Sequence, residues 1–116
     1  CRDTSSMEAI CSRIFDLVYG GSVKERPTAI VAGDDYVAGR VMGYLKKLGM
    51  EIPRDMAVTG MDNTYLAEML SPQLTSVNFS KEEFSARLVD TMLRLIREEP
   101  AEDELIAVSL MVREST

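Results

Sequence analysis

Apolar residues recur along the chain with two different periods, and the switches between them mark its elements. Met7, Ile10, Cys11, Ile14, Leu17 and Val18 fall on one stripe of a helix, opened by the S-x-x-E capping box at residues 5–8 and ended by Gly20-Gly21. A charged stretch leads through Pro27 to residues 28–32, a short apolar run with β-branched members and no polar alternation. That pattern predicts a strand buried on both faces. Gly33 and the pair Asp34-Asp35 precede a second helical stripe of Val37, Ala38, Val41, Leu45 and Leu48 that stops at Gly49. Acidic residues suit a helix start and glycine its end.

Residues 52–55 are turn-rich and introduce a second strand, 56–59, followed by Gly60, Met61, Asp62 and Asn63 and a short helical piece reaching Leu70. Strand, helix and strand within about thirty residues make a βαβ unit, which must be parallel and right-handed. Ser71-Pro72 interrupts the chain before a third extended piece, 74–77. A long helix over 81–98 then carries Phe84, Leu88, Met92 and Leu95 on one stripe, and the tail 105–113 reads as one or two final strands. The fold class is therefore α/β with a mostly parallel sheet.

A length of 116 residues suits one packed core without disulfides or metals. The chain has no histidine, which removes an imidazole base, Ser-His-Asp and Cys-His relays, and histidine-ligated zinc. Its net charge of −6, with no basic cluster longer than Lys46-Lys47, argues against this chain gripping a phosphate backbone by itself. Cys1 and Cys11 read as reduced, no stretch is long enough to span a membrane, and the opening residues read as the interior of a longer protein. Among the eight methionines, Met42, Met50, Met56, Met61, Met69 and Met92 fit core or partner packing. The acidic run Glu98-Glu99 with residues 102–104 reads as a solvated loop.

In an open parallel sheet, ligands bind beyond the carboxyl ends of the strands. Asp34-Asp35 and Asp62-Asn63 both follow strands directly, and if those strands are neighbours the two acidic loops open onto one edge. Each residue also has a local role open to it. Asp35 or Asp34 can cap the next helix, Asp62 can hold its own turn, and Asn63 suits a turn position.

The segments PTAIVAGDD at 27–35, GMEIPRD at 49–55, VTGMDN at 58–63, SPQLTSV at 71–77 and the tail LMVREST at 110–116 together closely resemble the C-terminal part of the lactose/galactose repressor (LacI/GalR) family of transcription regulators. The resemblance implies a type I periplasmic-binding-protein-like fold, of which this chain is mainly the C-terminal subdomain, a fragment of a two-lobed effector domain. Residues 1–77 would be that subdomain, 78–104 the crossover and a helix packed on the absent N-terminal subdomain, and 105–116 the final strands. It implies a cytoplasmic homodimer that closes over a small effector, binds operator DNA through a separate N-terminal helix-turn-helix domain, and is not an enzyme. No cofactor, metal or membrane is expected. Asp34, where the family typically has Asn, and Asp62 would contact the effector, and Met61 stands where an aromatic is usual. Val41, Met42, Leu66 and Met69 would offer a dimer interface.

Two carboxylates accept hydrogen bonds from hydroxyls and repel anions, so a neutral sugar is favoured over a sugar phosphate. The competing readings are an exported sugar-binding transport protein and a receiver-like domain that holds magnesium on its acidic loops. The latter lacks a lysine anywhere after Lys81. Finally, the stripe of Phe84, Leu88, Met92 and Leu95 should not stay in water. In this chain it is expected to fold back on the sheet or pack on another copy.

Overall fold

A computed structural model describes residues 4–20 and 26–116, the side chains of 4–7 excepted. The helices are α1 (Thr4–Tyr19), α2 (Asp35–Lys47), α3 (Tyr65–Met69) and α4 (Lys81–Ile96). The strands are β1 (Ala29–Val31), β2 (Ala57–Met61), β3 (Thr75–Phe79) and β4 (Val108–Met111). They form one sheet in the order β1-β2-β3-β4. β1 and β2 pair in parallel with Ile30 beside Val58, β2 and β3 in parallel with Gly60 beside Ser76, and β4 antiparallel to β3 with Leu110 beside Val77. Cys1 lies outside the described residues, and of the capping box at residues 5–8 only Glu8 has a described side chain. Cys11 is a free thiol.

The second helical stripe builds the core. Ala38, Val41, Met42 and Leu45 are buried with Met56, Val58, Ala67 and Leu74, and α1 adds Ile14 and Val18. Of the remaining α1 stripe, Ile10 and Leu17 are exposed. α2 ends in a Schellman motif: Gly49, at φ +76°, donates to the Lys46 carbonyl, and Met50 donates to that of Leu45. Only a residue without a Cβ enters that left-handed conformation cheaply.

The tail closes the sheet where β2 and β3 begin. Ser115, fully buried, receives a hydrogen bond on its carbonyl from the Val58 N–H (2.9 Å), and its hydroxyl donates to the Val58 carbonyl (2.6 Å). Its amide donates to the Gln73 carbonyl (3.0 Å), and its Oγ accepts from the Thr75 N–H (2.9 Å). One residue thus satisfies backbone groups of both strands before their direct ladder starts at Thr59 and Thr75.

Three expectations need correction. β1 is not covered on both faces: Val31 is 84% exposed, because β1 is the sheet's edge strand and only Ile30 turns toward the helices. Of the two outcomes expected for the α4 stripe, folding back on the sheet does not occur. α4 has no buried residue, and Phe84 and Leu88 are 43% and 49% exposed. β3 runs on to Phe79 and leads α4 past the end of the sheet, where the Phe84 ring meets Phe79 edge-on at 5.6 Å. The radius of gyration, 18.0 Å, exceeds the roughly 13 Å of a compact chain this long, which registers the projecting arm. Last, Val41 and Met42, expected at a dimer interface, are 1% and 2% exposed. They lie on the face of α2 that meets the sheet and present no surface to a partner. The acidic run is exposed as expected, with Arg87 bridging Glu83 and Glu104 at 2.7 Å each.

Candidate functional site

β1 and β2 are adjacent, so the loops after them share one edge of the sheet, and the two acidic pairs meet there. The two aspartates after β1 diverge at once. Asp34 is extended (φ −155°, ψ 166°) and its Oδ1 accepts from the Val37 N–H at 2.7 Å, which makes it the N-cap of α2. Asp35, the next residue, turns inward and is 2% exposed. Its Oδ2 accepts from the Thr64 N–H (2.6 Å) and hydroxyl (2.9 Å), and its Oδ1 from the Ser76 hydroxyl (2.5 Å). Of the two, Asp34 is therefore the cap, and Asp35 is a buried clamp between the loop after β2 and β3. Gly60 leaves room for that carboxylate. A Cβ there would collide with Asp35 Oδ1 and come within 2.8 Å of Leu74.

The loop after β2 reverses sharply. Asp62 (φ +94°) and Asn63 (φ +42°) both occupy the left-handed region, which residues with a Cβ enter only when held there. The holding bonds are visible. The Asp62 N–H donates to the Val77 carbonyl (2.9 Å), the Asn63 N–H to Ser76 Oγ (3.1 Å), and Asn63 Oδ1 accepts from the Arg113 guanidinium (2.8 Å). Among the described residues no side chain binds the Asp62 carboxylate, so the turn is closed by other groups and its half-buried carboxylate is left toward the groove.

That groove measures about 280 Å³ and is lined by Asp34, Asp35, Tyr36, Asp62, Thr64, Tyr65 and Leu66. Its described lining includes the two aspartates singled out from the sequence and two exposed tyrosines that sequence reasoning missed, and among the described residues none that lines it is basic. Both tyrosines sit in the first turn of a helix, within three residues of an acidic loop. That position after a strand is the signal that would have found them. A larger groove of about 370 Å³ lies at the opposite ends of the strands, between Val18 and Tyr19 of α1 and Pro27, Thr28 and Met56. Among the described residues that line it, the charged ones are Arg26 and Asp55.

Among the described residues no group of three or more His, Cys, Asp or Glu side chains is placed to hold a metal ion, and no helix is long and apolar enough to cross a membrane. Of the expected interface residues, Met69 of α3 is 73% exposed and Leu66 half-buried.

Comparison with known proteins places this geometry. Residues 4–116 match the periplasmic binding protein-like domain. The transcriptional repressor PurR of Vibrio vulnificus is 32% identical over 96 residues, which are 81% of this chain and 29% of the repressor. A periplasmic binding protein/LacI transcriptional regulator from Alkaliphilus metalliredigens, solved with D-xylulofuranose, superimposes with a TM-score of 0.67 at 28% identity. The match covers 99% of this chain and 39% of that one. A lac repressor dimer bound to operator and an anti-inducer gives a TM-score of 0.76 at 25% identity, over 96% of this chain and 38% of its own. The chain thus spans about a third of the relatives it matches.

Proposed function

We propose that this chain, which belongs to the LacI/GalR-type family of regulators with a periplasmic binding protein-like effector domain, forms one wall of a site for a neutral sugar whose occupancy alters the operator affinity of a separate N-terminal helix-turn-helix domain. The observation that carries the reading is the convergence of Asp34 and Asp62 on one groove, lined by no basic side chain among the described residues. A carboxylate accepts from two hydroxyls at once, and each charge-assisted bond is worth about 1.5 to 3 kcal/mol. An anion would meet two negative charges. Tyr36 and Tyr65 also line the groove, and an aromatic ring is a suitable partner for the apolar side of a pyranose or furanose. The Alkaliphilus relative, solved with D-xylulofuranose, supports the sugar class.

The groove is open, so a second lobe supplies the opposite wall, and the apolar face of α4 projects where that lobe would sit. Closure of two lobes on a sugar is the conformational signal, and a ligand shifts such an equilibrium only through its differential contacts with the two states. Asp34 and Asp62 supply such contacts from this lobe. The relatives the chain matches are transcriptional repressors and regulators, which supports a binding role rather than a catalytic one. The regulator is a cytoplasmic homodimer paired through α3, where Leu66 and Met69 remain available once Val41 and Met42 are assigned to the core.

Calorimetry on the intact regulator tests the site, with D-xylulose, D-glucose and cellobiose against the phosphate esters of the same monosaccharides. Heat from a neutral sugar and none from its phosphate ester is expected. Binding of the phosphate esters alone would overturn the proposal.

A further inference from the structure

The strand that returns from α4 is tied to the effector turn by one side chain. Arg113 lies two residues beyond β4 and its side chain is only 11% exposed. The guanidinium donates through one terminal nitrogen to the Leu74 carbonyl (2.8 Å) and through the other to Asn63 Oδ1 (2.8 Å). That second nitrogen also lies 3.4 Å from Glu68 of α3. Its backbone N–H is fixed as well, donating to Thr75 Oγ1 at 2.9 Å. The planar fork of arginine suits this two-point grip, which lysine cannot reproduce with a single ammonium.

Asn63 is adjacent to Asp62, and both hold left-handed backbone conformations. Such a turn persists only where its surroundings over-determine it. Asp35 and Ser76 hold it from the side of the sheet, and Arg113 holds it from the side of β4. β3 and β4 are also the two strands through which the chain leaves for α4 and comes back.

We propose that Arg113 is a positioning residue of the effector turn: through Asn63 it fixes the direction of the Asp62 carboxylate and makes that direction depend on where β4 and the α4 arm stand. The proposal rests on the reading of the Asp34–Asp62 groove as the effector site. A movement of the arm that carries β4 pulls on the turn, and a ligand that orders the turn steadies β4. Coupling of this kind is reciprocal by linkage.

The test is residue-resolved amide hydrogen exchange on the intact regulator without ligand. It compares Arg113→Lys, Arg113→Ala, Asn63→Asp and both combinations of Asn63→Asp with the Arg113 variants. Arg113→Lys is expected to speed exchange at Asp62, Asn63 and Thr64 by about tenfold or more, the loss of one charge-assisted bond, while Val58 and Leu45 keep their rates. Asn63→Asp should restore protection in the Arg113→Lys protein, where an ammonium can pair with a carboxylate, and not in the Arg113→Ala protein. A residue that merely fills space or satisfies Leu74 would not be rescued from position 63. Unchanged exchange at the turn, loosening spread evenly over the sheet, or no rescue overturns the proposal. If Arg113→Ala does not fold, the lysine pair alone decides. Because no sugar is present, failure of the effector reading shows separately, in the sugar affinity of an Asp62 variant.

Discussion

Replacing Asp35 by alanine is expected to be among the most damaging single changes to the subdomain. The carboxylate is buried and accepts three hydrogen bonds, from the Thr64 N–H, the Thr64 hydroxyl and the Ser76 hydroxyl. The two hydroxyls can rotate toward other acceptors, but the Thr64 N–H is fixed by the backbone and would be left without a partner. A stranded buried donor costs about 1 to 3 kcal/mol, and hydrogen bonds to a charged group are worth about 1.5 to 3 kcal/mol. The side chain is small, so the cavity adds little. We therefore expect a loss of about 3 to 5 kcal/mol, a fifth or more of an ordinary domain's stability of about 5 to 15 kcal/mol. Asp35→Asn keeps the shape and one acceptor, and can turn its amide toward Ser76 Oγ, so it should lose only about 1 to 2 kcal/mol. Urea titration followed by far-ultraviolet circular dichroism reads both, provided the midpoint moves and the slope does not. If the alanine variant stays within about 1 kcal/mol of the parent, or the two variants are equally destabilised, the clamp is not what holds the two loops together.

Asp62→Ala in the intact regulator should weaken sugar binding by about 10- to 150-fold with the melting temperature little changed, since the carboxylate holds no internal bond among the described residues; unchanged affinity would leave Asp62 a turn residue only. Two glutamates separate core from interface: Met69→Glu should yield folded monomers in sedimentation, whereas Val41→Glu should fail to fold because it buries an unpaired charge. A Met69→Glu protein that remains dimeric with unchanged affinity would move the interface elsewhere. The exposed Asp55 is held below the usual carboxylate range, first by the Glu51 backbone N–H and then by Arg54. Its folded-state value being the lower one, its contribution is present above the unfolded value of about 3.9 and is lost as pH falls through the folded one. The small penalty of Asp55→Asn should accordingly be visible at pH 6 and vanish in acid; a penalty independent of pH would refute the assignment.

The elements of this protein were legible in one dimension because each depends on local periodicity. The stripe from Val37 to Leu48 could only be an amphipathic helix, Gly49 could only stop it, and the extended pieces around residues 30, 58 and 76 lie within a residue or two of the observed strands. The edge on which Asp34 and Asp62 meet was equally accessible, because a short βαβ connection makes neighbours of the strands that precede them. Other properties were out of reach, each for a stated reason. Asp34 and Asp35 are chemically identical neighbours, and which one caps and which one is buried depends on Thr64 and Ser76, about 30 and 40 residues away, arriving beside Asp35. Val41 and Met42 read as well for an interface as for a core, and the sheet chose. A run of apolar β-branched residues cannot tell whether its strand is central or at an edge, so Val31 looked buried and is not. The roles of Ser115 and Arg113 had no local trace at all. They arise because the tail returns antiparallel to β3 and sets a hydroxyl and a guanidinium against backbone and side chains 38 to 57 residues earlier in the chain, a meeting that only folding in three dimensions brings about.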